Sequence, residues 1–296
     1  MNQFLLLGDL MVDVMVQPLS NIAPTSDTPS NIRFTRGGAS GNIACAIAEA
    51  KSSVTYAAVS GDDWGSQLAR ADFLQHGVTP HFFVRDLPTG TVVAIVNPDG
   101  QRAMLTDRGA NAQLTTALVD ELFSEIAAEH FHLSGYELLD PATRPAGYHA
   151  LKTAHARAWS TSLDACSLAP LRAAGPHVIL SVLPWVTRFF CNEEEAVLLT
   201  GASSVDEALT ILLAQCGEVI ITLGSRGALA GTTERRHYCA SQASSVVDTT
   251  GAGDAATGAY LVARFDECDI DESLDRAMTA AARVVAELGA TRATRD

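Results

Sequence analysis

Short apolar runs bounded by Gly, Pro, Asn and Asp alternate with longer amphipathic stretches along this chain. The N-terminal third reads as strands at Phe4–Leu7, Met11–Val16, Asn31–Arg36 and Val54–Val59, with helices over Gly41–Ala50 and Gly65–His76. Residues 17–30 hold three Pro among Ser, Thr, Asn and Asp and predict a loop. Thr79–Arg85, Gly90–Asn97 and Arg102–Thr106 read as successive antiparallel strands, the last two joined by an Asn97-Pro98-Asp99-Gly100 turn. From about residue 114 helix and strand alternate. Helices are expected near 115–129, 143–153, 193–200, 205–215, 254–264 and 272–288, with strands near 130–133, 158–163, 178–182, 218–222, 227–231 and 243–247. This rhythm predicts an α/β fold whose mostly parallel sheet is covered by helices on both faces. The N-terminal strands outside the rhythm predict a small separate sheet.

Composition narrows the class. The chain has 296 residues, 47% hydrophobic and 18% charged, enough to bury a large core without staples. Its net charge is −14, and Lys51 and Lys152 are its two lysines, which excludes an ordinary nucleic-acid-binding surface. The six cysteines form no C-x-x-C pair and read as reduced, mostly buried small hydrophobes. Phe4–Leu7 is too short for a signal sequence and lacks a basic flank. No membrane association is expected, and the cytoplasm is the expected location.

The chemistry concentrates at Asp248-Thr249-Thr250-Gly251-Ala252-Gly253-Asp254, between the strand-like Ser245-Val246-Val247 and a helical run from Ala255. A helix N-terminus presents unpaired N–H groups and partial positive charge, and small residues let an anion approach them. Backbone N–H groups of Gly251, Ala252 and Gly253 would then cradle phosphoryl oxygens. Asp254, directly after them, would take the proton of an acceptor hydroxyl. A Gly-rich turn capped by Asp is the plainer alternative.

This motif, with AATGAYL behind it, resembles the C-terminal signature of the ribokinase-like, PfkB-type carbohydrate kinases. Further blocks follow in that family's order: GDLMVD from Gly8, GGASGNIA from Gly37, GAN from Gly109, NEEE from Asn192 and TLGSRG from Thr222. The resemblance covers nearly the whole chain. It implies one ribokinase-like domain over 1–296, a three-layer α/β/α sandwich with a small β-sheet lid drawn from about 11–36 and 79–106. It also implies a homodimer built lid against lid, since the strands carry Phe82, Val84, Val92 and Ala94 at alternating positions.

By spacing alone, Asn192 and Glu195 make a capping box. The resemblance instead implies that they organise Mg²⁺ and ATP phosphates, Glu195 through water. It implies nucleotide contacts at Thr222, Gly224, Ser225 and Gly227, beyond an apolar strand. It implies substrate contacts at Asp13, Gly37, Gly38 and Asn42, whose carboxylate and amide groups suit vicinal hydroxyls. Read locally, Asn42 is equally a helix cap and Asp13 a solvated strand residue. Arg108 meets substrate or phosphate on one reading and makes an exposed salt bridge on the other. Asp248 orients its loop or lies near a monovalent cation, and Asp164 ends a strand that could face the cleft.

Ser40, Gly41, Lys51, Ala256, a shortened Gly61–Gly65 turn, Met11 and the His132–Tyr136 segment depart from the family pattern and weaken ribose as substrate. The expected activity is ATP-dependent phosphorylation of a hydroxymethyl group on a sugar or sugar-like molecule. A nucleoside kinase on the same fold is the alternative, with Phe34, Phe82 and Phe83 as a possible floor for a base. A non-catalytic sugar-binding protein is a third reading, against which Asp254 and its cradle argue.

Overall fold

Apolar runs that alternate between two cores build the central sheet. The computed structural model describes residues 2–96, 102–247 and 249–286. Its strands are β1 (Asn2–Leu7), β2 (Met11–Pro18), β3 (Ser30–Gly37), β4 (Val54–Gly61), β5 (Thr79–Arg85), β6 (Gly90–Val96), β7 (Arg102–Asp107), β8 (Ala128–Ser134), β9 (Ser160–Asp164), β10 (Arg188–Asn192), β11 (Glu218–Thr222), β12 (Ala228–Thr232) and β13 (Arg236–Cys239). The helices are α1 (Ala39–Glu49), α2 (Trp64–Gln75), α3 (Thr116–Glu125), α4 (Tyr136–Leu139), α5 (Arg144–Ala156), α6 (Leu168–Ala174), α7 (His177–Leu180), α8 (Glu193–Thr200), α9 (Val205–Leu213), α10 (Ala252–Phe265) and α11 (Ile270–Val285).

Nine strands form one sheet in the order β13-β12-β11-β10-β9-β8-β1-β4-β5, parallel except for β12 and β13. In β1, Leu5 and Leu7 enter the core that holds Leu118, Leu151 and Leu209, whereas Phe4 and Leu6 enter the core that holds Ile43, Phe73, Tyr260 and Leu274. A strand buried on both faces needs this near-continuous hydrophobicity. The result is three layers, helix, sheet and helix. The other sheet has the order β3-β2-β6-β7, with β2 and β6 parallel.

The chain leaves β1 toward β4 on one side and returns to β8 on the other. Strand order reverses there, and ligands of open α/β sheets bind beyond the carboxyl ends of strands at such a point. Those ends lie in register: Ser134 stands opposite Asp164, and Asn192 opposite Thr222.

Four expectations are corrected. Thr79–Arg85 is not a lid strand but pairs in parallel with β4 in the central sheet, where Phe82 packs on Tyr56 and Phe73. Phe82 and Val84 therefore do not form a lid face, and Phe82 and Phe83 do not floor a substrate site. Residues 178–182 do not form a strand. Val178-Ile179-Leu180 is an apolar run too short to show its period, it follows Pro176, and it folds as α7. The missing strand is β10, where Phe189, Phe190 and Cys191 carry the burial. Residues 243–247 form no strand either: Val246 and Val247 are exposed, and the Val247 N–H donates to the Val285 carbonyl at 2.7 Å. The Asn97–Gly100 turn, Asp248, expected to orient its loop or lie near a cation, and the end of the helix expected to reach 288 lie outside the described residues.

Candidate active site

Gly251 begins the site by ending the loop. It caps α10 with φ 78°, a left-handed conformation that glycine adopts without strain. The helix then opens on Ala252, Gly253 and Asp254, so a carboxylate stands in the first turn, beside the partial positive charge of the helix end. The Ala252 N–H reaches back to the Thr249 carbonyl at 3.3 Å, so one donor of the expected cradle closes the turn itself. Gly253 faces open space: a side chain there would meet nothing within 4 Å.

The cleft above the strand ends gathers Asp164, Cys166, Asn192, Glu195, Thr222 and Asp254 from four separate segments. Its lining includes three carboxylates and, among the described residues, no Lys, Arg or His. Asn192 accepts the Glu195 N–H at 2.9 Å, and Glu195 Oε2 accepts the Asn192 N–H at 2.8 Å, the reciprocal pair of a capping box. Burial raises the Glu195 carboxyl above its ordinary range. Gly224, Ser225 and Gly227 follow Thr222 in a turn whose first two residues are exposed, outside the cleft lining.

Burial pushes the Asp254 carboxyl up to about 7, opposed mainly by a hydrogen bond from Asn42. Asn42 Nδ2 donates to Asp254 Oδ2 at 2.8 Å, and Asn42 Oδ1 accepts from Arg36 Nη1 at 2.8 Å. Arg36 also donates through Nε to Asp72 at 2.6 Å and lies 4.6 Å above the Phe73 ring. This chain of contacts starts on α2, passes a buried arginine of lid strand β3, crosses α1 and ends on Asp254. Reading the sequence missed Arg36 and Asp72. An arginine closing a strand immediately before Gly37-Gly38 was the available signal.

Asp13 rises from β2 on the same side, and burial pushes its carboxyl up to about 6 against the pull of Arg36. Gly37 has a packing reason: a Cβ there would lie 2.2 Å from Asp13 Oδ1. Thus Gly37 packs against Asp13, and Asn42, five residues further on, bonds Asp254. Arg108 does not join them. Its guanidinium forks onto Asp9, with Nε donating at 2.9 Å, and pairs with Asp140 and with Glu137 at 3.5 Å. Three carboxylates occupy its donors, which corrects the expectation of a substrate contact to a structural one. Asn111 is likewise structural, since its amide brackets Leu10, accepting from its N–H and donating to its carbonyl, both at 2.8 Å.

A helix start that carries a half-buried carboxylate in its first turn, at the switch point of an α/β sheet, suits phosphoryl transfer to a small molecule. A family pattern described as "pfkB family carbohydrate kinase" matches residues 1–296, and the chain belongs to that family. It is 28% identical over 276 residues to probable fructokinase-4 of Arabidopsis thaliana, covering 88% of this chain and 81% of that one. Its fold matches adenosine kinase from Sinorhizobium meliloti with a TM-score of 0.86 at 23% identity, over 98% of this chain and 96% of that chain. A putative ribokinase II from E. coli, in complex with ATP and Mg²⁺, matches with a TM-score of 0.86 at 21% identity, over 98% and 94% of the two chains. Among the described residues, no single helix is long and apolar enough to cross a membrane.

Proposed function

We propose that this carbohydrate kinase transfers the γ-phosphoryl group of ATP to a hydroxymethyl group of a sugar or sugar-like molecule, with Asp254 as general base. The observation that carries this reading is Asp254 itself. It stands in the first turn of α10, held by Asn42 and raised by burial to about 7, where a carboxylate both accepts a proton and releases it near neutral pH. The acceptor hydroxyl lies between Asp254 and Asp13, and Asn42 fixes the base toward it. Phosphoryl oxygens meet the small-residue helix start at Gly251, Ala252 and Gly253. Asn192, Thr222 and the Gly224–Gly227 turn, with Ser225, hold the nucleotide.

The donor set fits Mg²⁺. Three carboxylates face one cleft with no side-chain cation in its described lining, so a polyphosphate there would meet uncompensated side-chain charge without a divalent ion. Glu195 and Asp164 would hold that ion, largely through its waters. The ion would neutralise charge on the transferring group.

The lid's exposed apolar residues support a homodimer. Ile32 and Phe34 on β3 and Met104 and Leu105 on β7 are each more than half exposed. The cytoplasm is the proposed location. A nucleoside kinase is the second reading, favoured by the fold shared with the adenosine kinase. The test is ADP release across a panel of sugars and nucleosides, with wild type and Asp254→Asn side by side. Release with a hydroxymethyl sugar, lost in the variant, supports the first reading. Release with nucleosides alone supports the second.

A further inference from the structure

Away from the cleft, the packing of α1 on α2 brings a cysteine, an aspartate and a histidine together. Cys45 comes from α1, Asp72 from α2, and His76 caps α2 one turn later. Residues four apart on a helix share a face, so Asp72 and His76 reach the same side. Cys45 Sγ, a carboxylate oxygen of Asp72 and a ring nitrogen of His76 all lie within 4.8 Å of one another. The two helices come this close where Gly41 of α1 meets Phe73 of α2: a Cβ on Gly41 would lie 2.9 Å from the tip of that ring. The donors are also held. His76 Nδ1 lies 2.8 Å from the Asp72 carbonyl and 3.6 Å from its carboxylate, and the His76 N–H donates to the Asp72 and Phe73 carbonyls at 3.1 Å. Cys45 is buried, whereas Asp72 and His76 are part exposed, so an ion can enter from the α2 side.

Sulfur, nitrogen and oxygen donors of this kind suit zinc, which takes such ligands in tetrahedral sites and can hold water in a remaining position. Magnesium prefers oxygen donors and keeps its own waters, so the ion expected in the cleft is poorly matched to a thiolate. The charges balance as well. Thiolate and carboxylate together offset a divalent ion, and Arg36 and Glu49, of opposite sign, both act on Cys45 from either side. Binding breaks the Cys45 Sγ–H bond and forms a metal–sulfur bond, and the proton leaves to solvent.

We propose that Cys45, Asp72 and His76 form a second metal site, for zinc or a similar thiolate-binding divalent cation, and that filling it slows catalysis. All three residues lie outside the lining of the cleft. Asp72 links the two sites. Its Oδ2 accepts from Arg36 Nε at 2.6 Å, the same guanidinium donates to Asn42 at 2.8 Å, and Asn42 donates to Asp254 at 2.8 Å. A dication on the Asp72 carboxylate competes with Arg36 for that group and repels the guanidinium. Arg36 then loses its anchor, and Asn42 loses the partner that aims it at Asp254. The effect on turnover rests on the kinase reading above, whereas the binding of the ion does not.

The test has two arms on the full chain, freed of metal with a chelator. In the first, Co²⁺ is the probe, added without ATP or sugar. Wild type should develop the near-ultraviolet absorption of a cobalt–thiolate bond, and Zn²⁺ should remove it by displacement. Cys45→Ala, which leaves a small side chain in the buried position, should abolish that absorption. His76→Gln, nearer the surface, should weaken Co²⁺ binding by at least about tenfold. No thiolate absorption in wild type, absorption that persists in Cys45→Ala, or an unaltered affinity in His76→Gln each overturns the site. In the second arm, free Zn²⁺ is set by a metal buffer at the level that displaces cobalt, with Mg²⁺ and ATP saturating. Wild-type kcat should fall about tenfold with a smaller change in KM, while Cys45→Ala and His76→Gln keep their zinc-free rates. Equal inhibition of all three proteins, or none of wild type, overturns the regulatory role. If wild type phosphorylates none of the panel, the kinase reading fails, and the cobalt arm still judges the site.

Discussion

Asn42 Nδ2 lies 2.8 Å from Asp254 Oδ2, joining the glycine-rich block near the start of the chain to the motif 212 residues later. The amide cannot turn freely, because its oxygen accepts from Arg36. Removing one group in this line therefore alters the next.

Asp254→Asn is expected to lower phosphoryl transfer by about two to four orders of magnitude while ATP binding persists. Steady-state kinetics with calorimetric ATP titration checks both halves. A rate within threefold of wild type would remove Asp254 as the base.

The same residue sets a pH dependence. Its carboxyl, raised to about 7, must be ionised to accept a proton, so kcat should fall as pH drops through that value. The stability sign is opposite. Between the ordinary 3.8 and about 7 the folded chain binds more protons at Asp254 than the unfolded chain, so this contribution to stability declines as pH rises. Asp254→Asn, which imitates the neutral form, should raise Tm by at least about 2 °C at pH 8 and by clearly less at pH 5. Calorimetry at both pH values decides; an equal shift at each would mean that ionisation is not the cause.

Arg36→Met should lower kcat about ten- to a hundredfold, with a smaller change in KM, because Asn42 loses the partner that aims it. The Arg36 charge also lowers the Asp254 carboxyl, so its loss should move the acid limb of the kcat profile upward. Arg36→Lys keeps the charge without the fork and should recover the limb more than the rate. A profile unmoved by either change would leave Arg36 as a packing residue.

Glu195→Gln separates the two roles of its side chain. Gln still closes a capping box, so Tm should be retained. The Mg²⁺ concentration for half-maximal rate should rise about tenfold. An unchanged Mg²⁺ titration would confine Glu195 to the helix start.

Light scattering at micromolar concentration should give about twice the 31.2 kDa chain mass. Phe34→Asp with Met104→Lys should return the mass to that of one chain. A monomeric wild type with full activity would rule out a lid-built dimer.

Local chemistry was enough for much of this protein. The helix start at Gly251 was legible because a left-handed cap and a first-turn carboxylate are decisions of a few adjacent residues. The two-sided burial of β1 was legible because a strand facing two cores must be apolar at every position. Where the period was short, local reading failed: Val178-Ile179-Leu180 became a helix, and β5 joined the central sheet although its alternation suits either sheet. Strand partnership is a long-range choice, made by which faces the rest of the chain covers. Residues whose role lies in contact across the fold were the least visible. Arg108 looked like a substrate ligand until Asp9, Glu137 and Asp140 closed around it, and Arg36 looked like a strand end until Asp72 and Asn42 took its donors. A buried charge draws its meaning from its partners, and tertiary folding alone decides which partners arrive.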